Sequence, residues 1–279
     1  MLRKSVIGAA VLSIVLPLCT GITVALGAQP DPVVLYRKDI PYRSVYAWER
    51  WGNFINAQPG DGKEIPYDAA KLAVRVYAFP SGEIRVIDFR SGVRTHPHIN
   101  MTDTILYTWT GRRVQFGNGQ AEQNRPGDAA FHPRGVFHHG EALETGKGIE
   151  FATYVDKVAP DPQVTWITAE ARPMRAVGPG VAERRFDFGT YVTREIHLSK
   201  GAKLTLDTVA NQLLFVLSGR ILVSAGGSAG SQNFEVAAED AAHARAGAPF
   251  NIVALEAAQV LTSSVPVGTP PPPAFREVR

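Results

Sequence analysis

The chain has 279 residues, 45% of them hydrophobic, enough to bury one large core or two ordinary ones. Against 29 Lys and Arg stand 26 Asp and Glu, for a formal net charge of +3 at pH 7. So even a balance offers no basic face for a polyanion, and no nucleic-acid partner is expected.

Residues 1–28 read as an export signal. Leu2-Arg3-Lys4 is a basic start, an apolar stretch follows from Val6, and Ala25-Leu26-Gly27-Ala28 offers small residues for cleavage. The expectation is a periplasmic or secreted protein with no stable membrane association after cleavage. Loss of Arg3 and Lys4 would bring the charge to 3 − 2 = +1. The apolar stretch approaches spanning length, so an uncleaved anchor is the alternative. Cys19, the single cysteine, lies in this segment, and a mature chain without cysteine suits an oxidising compartment.

Beyond it, short apolar runs are separated by Gly, Pro and Asp. Leu72–Ala78, Ile84–Phe89, Thr104–Trp109 and Gly148–Val155 alternate or run apolar at strand length. A helix each is expected over Tyr42–Ala57 and Tyr67–Lys71. The pattern is otherwise all-β, with a first domain over 29–158. Residues 159–180, with Pro160, Pro162, Pro173 and Pro179, read as a turn-rich connector. Further strand-like runs at Tyr191–Leu198, Leu213–Leu217, Arg220–Ser224 and Ile252–Leu255 define a second domain over 181–266. Residues 267–279 form a Pro-rich exposed tail.

The two halves repeat. Thr104-Ile-Leu-Tyr-Thr-Trp-Thr-Gly111 aligns with Gln212-Leu-Leu-Phe-Val-Leu-Ser-Gly219 at an offset of 108, and Gly127-Asp-Ala-Ala with Glu239-Asp-Ala-Ala at 112. Five of the seven histidines fall in the first copy, as His96, His98, His132, His138 and His139. Histidine is the commonest metal ligand among side chains, and an i, i+2 pair on a strand points both rings to one side.

The segment Gly92-Val-Arg-Thr-His96-Pro-His98-Ile-Asn-Met-Thr-Asp103, ending at Gly111, resembles the first motif of the cupin superfamily. Gly127-Asp-Ala-Ala-Phe-His-Pro133-Arg-Gly135-Val-Phe-His138 is similar to the second at its Gly, Pro, Gly and His positions. The resemblance implies two tandem cupin double-stranded β-helix (jelly-roll) barrels, the first holding one divalent metal through His96, His98, Asp103 and His138. Fe(II) is the first choice, with Mn, Cu, Ni or Zn as alternatives. Asp103 stands where cupins usually place Glu, so a three-histidine centre is the other reading. Such centres occur in the cupin-type thiol and diketone dioxygenases, and the chain resembles cupin dioxygenases such as quercetinase.

The expected function is therefore an exported metal-dependent dioxygenase acting on a small aromatic or enolisable substrate. A cupin lyase, isomerase or decarboxylase, or a non-catalytic small-ligand or metal-binding protein, is the alternative. Strand parity puts Arg94 with His96 and His98, and Tyr107 with Asp103, so both are candidates to face the cavity. An inward arginine would bind a carboxylate, enolate or phenolate, and an inward tyrosine would handle a proton. The competing reading of Arg94 is a rim residue paired with an acid. His132 is expected at the rim and His139 on the outer face. In the second copy Leu204, Leu206, Asn211 and Phe250 stand at the four ligand positions, which predicts a metal-free barrel with His197 and His243 structural. Oligomeric state is left open, with a homodimer through a sheet edge as one outcome.

Overall fold

In a computed structural model, the residues described are 33–40, 43–44, 54–56, 72–95, 97–100, 102–154, 160–206, 209–225, 232–247 and 249–267. Among them the fold is all-β and every strand pair is antiparallel. No helix among them is long and apolar enough to cross a membrane. The export segment, the tail and the helix expected over 67–71 lie outside these residues. Within 42–57 the described residues are strands, Arg43–Ser44 and Phe54–Asn56, not a helix. Their backbones are taken up by the edges of Leu72–Phe79 and His98–Asn100.

Four sheets make two barrels. The first barrel joins a seven-stranded sheet, centred on Asp103–Thr110, Gly146–Thr153 and Gly82–Phe89, to a five-stranded sheet that includes His98–Asn100, Phe137–Ala142 and Arg113–Gly117. The second joins a seven-stranded sheet centred on Asn211–Ser218 and Ala258–Val265 to a four-stranded one containing Lys203–Leu206, Phe250–Ala254 and Arg220–Ala225. The connector is more than turns, for Thr165–Ile167 extends the first barrel's sheet beside Ala129–His132. Val33–Tyr36 does the same for the second barrel, beside Ala241–Ala244, so the first strand belongs to the last domain.

The repeat extends to single hydrogen bonds. Gly111 and Gly219 both take positive φ, and a Cβ on either would strike backbone, that of Thr145 or Ala257. Asp128 Oδ2 accepts the Arg125 N–H at 2.7 Å, as Asp240 Oδ2 accepts that of Ala237 at 3.0 Å. Where the first copy has Gly127 at φ +91°, the second holds Glu239 at φ +67°, and Glu239 reaches Arg75 and Lys147 of the first barrel, each at 2.9 Å.

Both seven-stranded sheets are buried on both faces. Ile84, Val86, Ile105, Tyr107, Ile149 and Phe151 meet Phe186, Leu213, Phe215 and Leu261 in a core shared between the barrels. The opposite face of the first sheet, including Leu106 and Ile87, lines the first barrel's interior. The second barrel is filled by Leu206, Leu214, Val216, Ile221, Val223, Phe250, Ile252 and Val260.

Candidate metal and substrate site in the first barrel

His98 and His138 are direct cross-strand partners, and their ring centroids lie 4.4 Å apart at 55°. His132, at the end of Ala129–His132, lies on the other side of His138 with centroids 4.4 Å apart and planes within 12°. Exposure is 6% for His98, 1% for His132 and 3% for His138. Burial pushes His138 down to about 4, and pushes His132 well below the ordinary histidine value with further repulsion from His138, Arg113 and His98. Both are neutral at physiological pH, the form that ligates metal. His138 Nδ1 lies 3.1 Å from the Val136 carbonyl, which can only accept, so the proton sits on Nδ1 and Nε2 keeps its lone pair. His132 Nε2 is buried without a hydrogen-bond partner.

Among the described residues no three His, Cys, Asp or Glu side chains converge as a metal cage. His96 lies outside the described residues. Parallel rings send their in-plane lone pairs along parallel lines, so His132 is the wall on which His138 rests. The donor set nevertheless suits a divalent transition metal, with the buried His98 ring beside a neutral His138 imidazole whose tautomer is held by backbone and whose Nε2 keeps its lone pair.

Three expected site residues are elsewhere. The Asp103 carboxylate is turned out of the barrel, where Oδ1 accepts the Arg134 N–H at 2.7 Å and Oδ2 the Tyr191 hydroxyl at 2.8 Å. Tyr107 shares that outward face, packs edge-on to Phe186 at 6.2 Å, and is pushed up by burial and by Glu195 beside its hydroxyl. The parity that groups these residues is right, but the face it assigns to the cavity is the wrong one. A strand apolar on both sides carries no mark of which side is inside. Arg94, 71% exposed, pairs with Glu141 at 3.0 Å, as its rim reading had it. His139 faces outward and stacks on Phe116 with planes within 5°.

Apart from His98 and His138, the sequence does not point to the residues that lie inside. A pocket open to one side is walled by Leu72, Ile87, Phe89, Val93, Leu106 and Ala142, with Thr95, His98, Arg113, Gln115, His138, Glu141 and Glu150 as its polar members. Arg113 is only 7% exposed, its guanidinium carbon 5.9 Å from the Phe89 ring centroid. Burial lowers Arg113 to about 10, partly offset by Glu150. Burial also raises Glu150, against the pull of Arg85 and Arg113, and its nearest ion-pair partner is Arg85 Nη1 at 3.5 Å.

No family model matches the sequence, and no curated protein does either. Solved structures do match. An oxalate decarboxylase from Lactobacillus farciminis in complex with formate aligns at TM-score 0.61 and 9% identity, over 72% of this chain and 83% of that one. Streptomyces albus HEPD, with 2-hydroxyethylphosphonate and Fe(II) bound, aligns at 0.60 and 10% identity, over 84% and 78%. AerE from Microcystis aeruginosa aligns at 0.59 and 8%, over 76% and 95%. The chain has the bicupin fold.

The second cupin barrel shows what the first has replaced. Leu206 and Phe250 are cross-strand partners there, as His98 and His138 are in the first cupin. Ala244 follows at the repeat position of His132, and all three side in with the apolar core. Ile221 pairs with Val236 where Arg113 pairs with Asn124. Asn211, opposite Asp103 in the repeat, accepts the Ala246 N–H at 2.9 Å, just as Asp103 accepts that of Arg134. In both cupins this position braces a turn. A residue that is polar in one copy and apolar at the same inward position of the other is the sequence signal that would have found His132 and Arg113.

Proposed function

We propose that this chain is an exported metal-dependent cupin enzyme with its site in the first barrel, where His98 and His138, joined by His96, hold one divalent ion. The observation that carries this reading is the buried cross-strand pair His98 and His138, with the tautomer of His138 set by the Val136 carbonyl. A bound ion would supply Lewis-acid or redox chemistry at the cavity. The protein's own part is to keep the His138 imidazole neutral by burial, to hold its ring against His132, and to keep water from most of the reacting volume with Leu72, Ile87, Phe89 and Leu106.

Iron is the first choice of metal, in keeping with the Fe(II) bound by HEPD, and manganese, copper, nickel and zinc are the others. Dioxygenase action on a small aromatic or enolisable substrate follows from the cupin resemblance. The likeness to oxalate decarboxylases supports decarboxylation equally. Elemental analysis of protein from its native compartment should find about one transition metal per chain. A metal-free protein overturns the reading. With metal present, oxygen consumption against carbon dioxide release over a panel of catechols, diketones and small carboxylic acids decides between the two reactions.

A further inference from the structure

Arg113 lies within the first barrel among the residues that would meet a substrate, yet two of its donors have nothing to bind. Nε and Nη2 are both buried and both lack a hydrogen-bond partner. These two N–H groups form the side-on edge of the guanidinium, two parallel donors whose spacing matches the two oxygens of a carboxylate. Glu150, the acid whose charge reaches Arg113, is turned to Arg85 instead. Gly148 makes room for the head group, since a Cβ there would lie 3.2 Å from Arg113 Nη1, and in the second barrel the repeat places Val260 at that position and Ile221 at that of Arg113. An unpaired buried cation is costly, and the same scaffold shows that a branched aliphatic fills the place without that cost.

We infer that the side-on edge of Arg113 is the anchor for the anionic group of a small organic acid, whose apolar body lies against Leu72, Ile87, Phe89 and Leu106. The inference deepens the proposed function by naming its substrate class, and rests on that reading for the reaction but not for the binding.

The probes are benzoate and its neutral isostere benzamide, titrated calorimetrically into the full-length, metal-assayed protein. Wild type should bind benzoate at least about tenfold tighter than benzamide, as expected for one charge-assisted bidentate pair. Arg113→Met should bind the two alike, keep its metal content, and unfold at a higher temperature because a buried unpaired charge is gone. Arg113→Gln gives the same reading of ligand preference should the methionine variant fail to fold. If wild type does not discriminate, water alone fills the place and the inference falls. If the preference survives in Arg113→Met, the metal carries it and the inference falls while the proposed function stands. A metal-free protein whose benzoate preference vanishes in Arg113→Met upholds the inference and sinks the metal reading.

Discussion

Strand for strand, the first barrel sets His98 opposite His138 and Arg113 opposite Asn124, where the second sets Leu206 opposite Phe250 and Ile221 opposite Val236. The backbone plan, the positive-φ glycines and the aspartates that brace the turns are common to both. What differs is the filling. A closed, apolar second barrel buries surface against its neighbour through the shared core, and the first tolerates a polar interior that would be hard to stabilise alone. One copy thus supplies stability and the other can spend its interior on chemistry.

Converting the first barrel toward the second should have its largest effect at the histidines. In His138→Phe, which installs the residue of the second barrel, metal content should fall from about one per chain to near zero while the far-ultraviolet circular dichroism stays that of the folded protein. Retained metal would show that His138 is packing, as Phe250 is. Next come the braces. Asp103→Ala should cost about 3 kcal/mol in urea unfolding, because a charged acceptor is lost and the Arg134 N–H and Tyr191 hydroxyl are left without it. Metal content should not change. Asn211→Ala, which removes a neutral acceptor, should cost about 1 kcal/mol. Loss of metal in the Asp103 variant would restore that carboxylate to the site and break the parallel.

An effect between those of the two braces is expected from His243, held down to about 4 by burial first and by Arg245 second, with Nε2 2.8 Å from Ser81 Oγ. Its folded value lies below its unfolded one, so the unfolded chain takes up more protons and stability drops as pH falls from about 6.5 to about 4. His243→Phe, the residue the repeat places there as Phe131, should therefore lose about 2 kcal/mol less than wild type between pH 7 and pH 5 in denaturant titrations. Equal losses would mean that His243 is not held neutral. The least effect belongs to Arg94→Ala at the exposed rim pair with Glu141, within about 1 kcal/mol in stability and with metal content and ligand preference unaltered. A loss of benzoate binding there would move the anion anchor from Arg113 to the rim.

Much of the fold was legible. Period-two runs, turn residues and the offsets of 108 and 112 define two like β units, since strand alternation and turn chemistry are local properties of the chain. The crossing of Val33–Tyr36 into the second barrel's sheet was not, because strand partners across some 200 residues leave no local trace. At the site, the motif spacing leads to His98 and His138, which the fold sets side by side. His132 reads as a rim residue from its strand parity with the turn, and its burial and its stacking on His138 show otherwise.

The sequence by itself determined the main strands of each half, the duplication and the loss of every histidine of the cluster from the second copy. Each of these follows from residue type and spacing alone. Only the tertiary structure decided which face of each strand is the cavity, because the sheet between the barrels is buried on both sides and both faces read as apolar. That decision removes Asp103 and Tyr107 from the interior and puts Arg113 and Glu150 in it. The chemistry open to the first barrel depends on it.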